Sequence, residues 1–184
     1  MSTTRQLCPE EKLSELVSQM GADEGLALRS LDDRLGDYPG DPRLHFLKGS
    51  LLAGRQDYRA ARAAMRKAVD LAPDYRLARF QLGLLLFTSG EAYAAQETWG
   101  PLLALPDGDY LKVFAVGLNH LIRDEFPEAV RRLEEGIALN RELSPLNHDM
   151  LLIIDEIRAK TRGDGEISSV DLLLQQAALK ASKH

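Results

Sequence analysis

Four histidines, a single cysteine and adjacent carboxylates such as Asp32-Asp33 and Asp155-Glu156 are residues of this chain whose types could do chemistry. His45, His120, His148 and His184 show no metal-ligand spacing, and neither HExxH nor CxxC occurs. Asp32-Asp33 and Asp155-Glu156 are neighbours in sequence, so on a helix the members of each pair point to different sides and act as solvated charge. The glycines form no phosphate-cradling loop between a strand and a helix. Arg162-Gly163-Asp164 spells a cell-adhesion tripeptide, which reads as chance in a chain without a secretion signal. Cys8 has no second cysteine to bond, and a reducing cytoplasm fits it best. None of these groups supports catalysis. The chain is expected not to be an enzyme and to hold neither metal nor cofactor.

The elements that position these residues must therefore carry the function. A length of 184 residues suits one domain with a sizeable core. With 45% hydrophobic and 28% charged residues, the mixture is globular rather than disordered. The 23 basic and 28 acidic residues give a net charge of −5 with no dense Lys/Arg run, so binding of nucleic acid through its phosphates is not expected. The opening MSTTRQLCPEEK has no apolar stretch after its one arginine, which argues against a secretory signal. The longest apolar runs, such as 82–87, fall far below the roughly 20 residues that cross a bilayer. A cytoplasmic protein that does not span a membrane is expected.

A period runs through the chain. Alanine recurs at Ala27, Ala61, Ala95 and Ala129, each 34 residues after the last, and glycine at Gly49, Gly83 and Gly117 with the same spacing. Pro39 and Pro73 share it, as do Leu71, Leu105 and Leu139. Each period reads as two helices. LHFLKGSLLAG, FQLGLLLFTSG and FAVGLNHLIRD are the first helices, each ending in a polar or glycine-containing turn. DYRAARAAMRKAVDLAPD, EAYAAQETWGPLLALPD and FPEAVRRLEEGIALN are the second, with Asp57 as an N-cap. Pro73 and Pro106 end the helices before them. Gly100-Pro101 sits inside a second helix, where a local bend is expected.

In these residues the chain resembles the tetratricopeptide repeat family, whose pattern is an aromatic, then Leu-Gly, Tyr, Ala, Phe and Pro at fixed offsets. One copy runs His45, Lys48, Gly49, Leu52, Ala61, Met65, Pro73; the next runs Arg79, Leu82, Gly83, Leu86, Ala95, Trp99. A third is Val113, Val116, Gly117, His120, Ala129, Leu133, and Ala27, Leu31, Pro39 complete an earlier one. The large aromatic near each copy's start is missing. His45 and His120 occupy packing positions of the repeat and read as structural. The resemblance implies an all-α fold, a right-handed α-solenoid of antiparallel helix pairs. Its solenoid would occupy 1–162, with repeats near 8–41, 42–75, 76–109 and 110–143 and a closing helix over 147–162. The first helix, around PEEKLSELVSQM, departs from the pattern as an N-terminal cap. The segment RFQLGLLLFTSG, apolar nearly all round, is then a helix sandwiched by neighbours, not a membrane span.

Phe46, Phe80 and Phe114 also recur every 34 residues, and the resemblance places them on the concave groove. Successive turns of the same stripe carry Ser50, Leu84 and Leu118, then Ala53, Phe87 and Leu121; Leu77 and Leu111 extend it backwards. These residues are expected to face outward as a contiguous apolar patch that binds a protein or peptide, with burial in the stacked core as the competing reading. Relatives that grip acidic C-terminal peptides line this stripe with Lys, Arg and Asn. Only Arg43 offers charge here, so an apolar helical or extended segment is the expected ligand.

Residues 163–184 read as a joint followed by an amphipathic C-terminal helix. Val170, Leu173, Leu174 and Ala177 form its apolar face, and Ser168 and Asp171 have capping-box spacing. That helix has three placements open to it: in its own groove, on another copy to give a homodimer through the groove or through the helix itself, or against the last repeat. The expected function is a non-catalytic protein-interaction scaffold. Two alternatives stand beside it. One is a chaperone similar to the small tetratricopeptide chaperones of type III secretion translocators; the other is a regulatory or assembly subunit of a membrane or enzyme complex.

Overall fold

The structure is a computed structural model, and it describes residues 6–161. The expected C-terminal helix, with Val170, Leu173, Leu174 and Ala177, lies outside the described residues. Within them all regular structure is helical: α1 (Glu10–Ala22), α2 (Glu24–Asp37), α3 (Pro42–Gly54), α4 (Tyr58–Leu71), α5 (Arg76–Thr88), α6 (Ala92–Trp99), α7 (Tyr110–Ile122), α8 (Phe126–Leu139) and α9 (Ser144–Thr161). The chain forms two compact units, Met1–Leu82 and Gly83–His184, the division falling inside α5. No helix among the described residues is long and apolar enough to cross a membrane.

Aspartates start several of these helices. Asp23, Asp57 and Asp109 accept from the amides of Leu26, Ala60 and Leu111 at 2.9, 3.1 and 2.9 Å, satisfying donors that the first turn leaves without a partner. The ends are equally regular. In the turns after α3, α5 and α7 the amides of Asp57, Glu91 and Glu125 reach back to the carbonyls of Leu52, Leu86 and His120 at 2.9, 3.0 and 3.0 Å. This six-to-one closure requires a left-handed residue just before the donor. Gln56, Gly90 and Asp124 supply it, with φ of 65°, 80° and 58°. Such short turns fold α4 back antiparallel on α3, and α8 on α7.

Inside each pair the period has a steric meaning. Ala27, Ala61, Ala95 and Ala129 are fully buried, and so are Leu31, Trp99 and Leu133, with Met65 at 1% exposure. The periodic glycines lie opposite the last three of these large residues. A Cβ on Gly49 would sit 2.8 Å from Met65, on Gly117 3.0 Å from Leu133, and on Gly83 only 2.1 Å from the Trp99 indole. The first helix must lack a side chain there for the second to seat its largest one.

Two local features depart from the sequence reading. The second helix of the third period does not merely bend at Gly100-Pro101. It ends at Trp99, and Gly100–Ala104 continues as a 3-10 helix. Pro101 has no amide to donate and its ring crowds the preceding turn, so the tighter helix is the accessible continuation. The closing helix begins at Ser144 rather than 147, because Pro145 is tolerated in a first turn whose amides need no intrahelical acceptor. Asn140 ties the junction: its side chain donates to Leu143 O (2.9 Å) and Asn147 Oδ1 (2.8 Å) and accepts from the Leu143 amide (3.0 Å).

Gly83→Ala should destabilise the fold by about 1–3 kcal/mol, because the rigid indole has nowhere near to move and overpacking outweighs alanine's helix preference. Gly49→Ala should cost less, since the methionine opposite it can swing aside. Gly36→Ala, with no atom near its added Cβ, should stabilise by about 0.5–1 kcal/mol. Urea midpoints of the three variants test this order; equal effects would rule out the close approach.

Candidate partner-binding site

The stripe expected to bind a partner is divided by burial. On α3, residues Phe46, Ser50 and Ala53 remain part-exposed, as do Leu77 and Leu84 on α5. Phe80, Phe114 and Leu118 are fully buried, Phe87 and Leu121 are 1% exposed, and Leu111 is 3% exposed. The expectation of one contiguous open patch is therefore corrected: these six side chains are core. Their surroundings explain part of this. Phe114 lies against α8 where Gly136 leaves room, so close that a Cβ there would be 2.4 Å from its ring, and Tyr110 meets it edge-on at 6.1 Å. Phe87 packs on Trp99 with ring centroids 6.0 Å apart.

In the first unit the open part of the stripe has a defined structure. The Phe46 ring tilts against Tyr75 at a centroid distance of 5.2 Å. Tyr75 stands where Asp41 and Asp109 stand in the neighbouring periods, just ahead of a first helix. It offers its ring to Phe46, and burial pushes its phenol above the usual range. Leu77 follows two residues later.

A polar lock closes the N-terminal end of this stripe. Asp41 is wholly buried, accepting from the Cys8 amide at 2.8 Å and from the Arg43 amide at 2.9 Å. The Arg43 guanidinium donates to Asp41 through Nε (3.0 Å) and Nη2 (2.7 Å), to the Cys8 carbonyl (2.7 Å) and to Glu10 (2.9 Å). Arg43, the one cation of the stripe, is thus engaged in holding the segment before α1 onto α3. Burial alone would raise the Asp41 carboxyl, but the Arg43 and Cys8 hydrogen bonds and the guanidinium charge outweigh it and hold the group below its usual value. Burial pushes the Cys8 thiol up, leaving it a poor nucleophile. The composition of the stripe did not reveal this lock; Asp41-Pro42, a capping aspartate before a first-turn proline, was its available signal.

The histidines take structural places. His45 Nε2 donates to the Pro39 carbonyl at 2.9 Å. His120 pairs with Glu125 in the turn after α7, where Arg123 and then His120 hold the Glu125 carboxyl low. Among the described residues no three His, Cys, Asp or Glu side chains converge as a metal site requires.

No protein-family model matches the chain, and no curated protein does. Its structure is similar to MamA from Desulfovibrio magneticus RS-1, at 14% identity over 95% of this chain and 97% of that one, with a TM-score of 0.60. Another MamA structure aligns at 21% identity over 71% and 77% of the two chains, with a TM-score of 0.58. YrrB, "a TPR protein with an unusual peptide-binding site", aligns at 14% identity over 95% and 87%, also at 0.58. The chain has the tetratricopeptide fold. In that fold the period found in the sequence is the helix pair itself, and its first helices carry the stripe described above.

The lock gives the tetratricopeptide fold a pH signature. Asp41 titrates lower in the folded chain than the value of about 3.9 in the unfolded one, so its contribution is complete above that value and disappears as pH falls through the lower one. Asp41→Asn should lower stability near neutral pH by about 1–3 kcal/mol, and the gap from the parent should narrow below about pH 4. Urea midpoints across this range are the measurement. A pH-independent gap would contradict the lock.

Proposed function

We propose that this chain is a non-catalytic protein-interaction module that takes an apolar peptide segment, helical or extended, along its first-helix stripe. The half-open aromatic pair Phe46–Tyr75, flanked by Ser50 and Leu77, carries the reading. Two half-buried rings already in contact make an anchor that gains apolar contact with little new ordering of the protein. Engagement of Arg43 with Asp41 leaves the stripe without a free cation, which favours an apolar ligand over a terminal carboxylate. YrrB, a TPR protein with an unusual peptide-binding site, has the same fold and supports the class of ligand without naming it. The setting we infer is the cytoplasm, where the buried Cys8 stays a thiol.

A display library of amphipathic peptides would identify ligands. Phe46→Asp or Leu77→Asp should then weaken a selected peptide about tenfold or more while helical circular dichroism is preserved. Phe80→Ala, at a fully buried site, should instead cost about 3–5 kcal/mol of stability. Undiminished binding by Phe46→Asp would place the ligand elsewhere.

A further inference from the structure

The exposed face of α4 departs from its counterparts in every other period. α4 carries Arg59, Arg62, Arg66 and Lys67 against a single acid, Asp70, in a chain whose net charge is −5. At the register of Arg66-Lys67 the other second helices place Asp32-Asp33, Gly100-Pro101 and Glu134-Glu135. Several cations elsewhere are answered, Arg132 by Glu135 at 3.1 Å, Arg158 by Glu134 and Lys48 by Asp32 at 2.5 Å, whereas α2 has two arginines, Arg29 and Arg34, among the acids Glu24, Asp32, Asp33 and Asp37 of the same helix. Arg62 has a partner of its own. Arg59, Arg66 and Lys67 are exposed and make no ion pair among the described residues.

Helix physics alone disfavours this arrangement. Arg59 to Arg62 and Arg62 to Arg66 are like-charge neighbours at three and four residues, each pair costing about 0.2–0.5 kcal/mol. Arg59 also lies in the first turn, where the helix dipole repels a cation. Between the arginines Ala63 is exposed, leaving a low floor on which another backbone can lie. Arg59 and Arg66 are two turns apart on one side, roughly 10 Å along the axis.

We propose that this face of α4 is a second docking surface, and that it takes an acidic peptide segment of a partner protein with carboxylates spaced to meet Arg59 and Arg66. Charge complementarity sets the class of ligand, and extent narrows it. The cationic face covers about three turns of one helix, while the chain around it is acidic, so a long polyanion or an anionic membrane would meet repulsion beyond the patch. A short acidic segment that spans Arg59 and Arg66 stays within the cationic stretch, before Asp70. This surface is on a second helix and does not use Phe46 or Leu77, so it stands independently of the stripe.

Fluorescence anisotropy with a labelled Glu-Ala repeat peptide and its Gln-Ala counterpart tests the proposal on the full chain. The Glu peptide should bind, weakening as salt rises, and the Gln peptide should not. Arg59→Glu with Arg66→Glu should reduce binding about tenfold or more, Arg59→Gln with Arg66→Gln by an intermediate amount, and Phe46→Asp not at all. Neither double variant should lose helical content, since both side chains lie in solvent. Three results would overturn the proposal: equal binding of the two peptides, binding that survives charge reversal, or binding confined to phosphatidylserine vesicles. Sedimentation velocity supplies a last check, because a dimer abolished by the reversal would make the occupant a second copy and refute the assignment.

Discussion

Close approach of the two helices in a pair is the constraint from which the rest of this structure follows. Met65, Trp99 and Leu133 each need a place on the first helix where no side chain stands, and Gly49, Gly83 and Gly117 provide it. A glycine inside a helix costs roughly 1 kcal/mol in propensity, while burying one large apolar side chain returns about 1.5–3 kcal/mol, so packing wins over backbone preference. The fully buried alanines at Ala27, Ala61, Ala95 and Ala129 serve the same end from the second helix. Because the two sides are coupled, the period cannot drift by a residue without setting a side chain against the indole or the methionine.

The same tightness decides which part of the stripe stays open. Phe114 sinks against α8 because Gly136, one position where a methyl would block it, is bare. At the corresponding place, 68 residues earlier, α4 has the buried Ala68 rather than a glycine. Phe46 leans on Tyr75 and stays half-buried. A stripe that is uniform in sequence is part-exposed at Phe46 and core at Phe80 and Phe114.

Much of the fold was legible before any coordinates. The spacing of Ala61, Ala95 and Ala129 and of the glycines reports a packing contact that recurs with the chain, and Asp57 announces a helix start through its chemistry. What was not legible depends on contacts between segments far apart in sequence. Nothing local to Phe80 or Phe114 says how much water reaches them, because periodicity identifies a face and not what covers it. Asp41 was silent for the same reason: its meaning lies in the Cys8 amide, 33 residues away. The end of α6 was half-visible, since Gly100-Pro101 marks an interruption but leaves open whether a bend or a 3-10 turn follows.

α4 shows how the core makes room for function on the surface. Its inner face buries Ala61, Ala64, Met65, Ala68 and Val69 against a partner helix joined to it by a three-residue turn. Burial of that face, with Met65 alone contributing about 1.5–3 kcal/mol, exceeds the two like-charge penalties of about 0.2–0.5 kcal/mol on the outer one. The outer residues are thereby released from any duty to stabilise the helix. In α8 the same freedom is filled with Glu128 and Glu135 beside Arg131 and Arg132, a self-neutralised surface. In α4 it holds four cations against one acid, Asp70. Helices with similar inner faces thus present different outer ones, and on that separation of support from surface charge the two proposed binding surfaces rest.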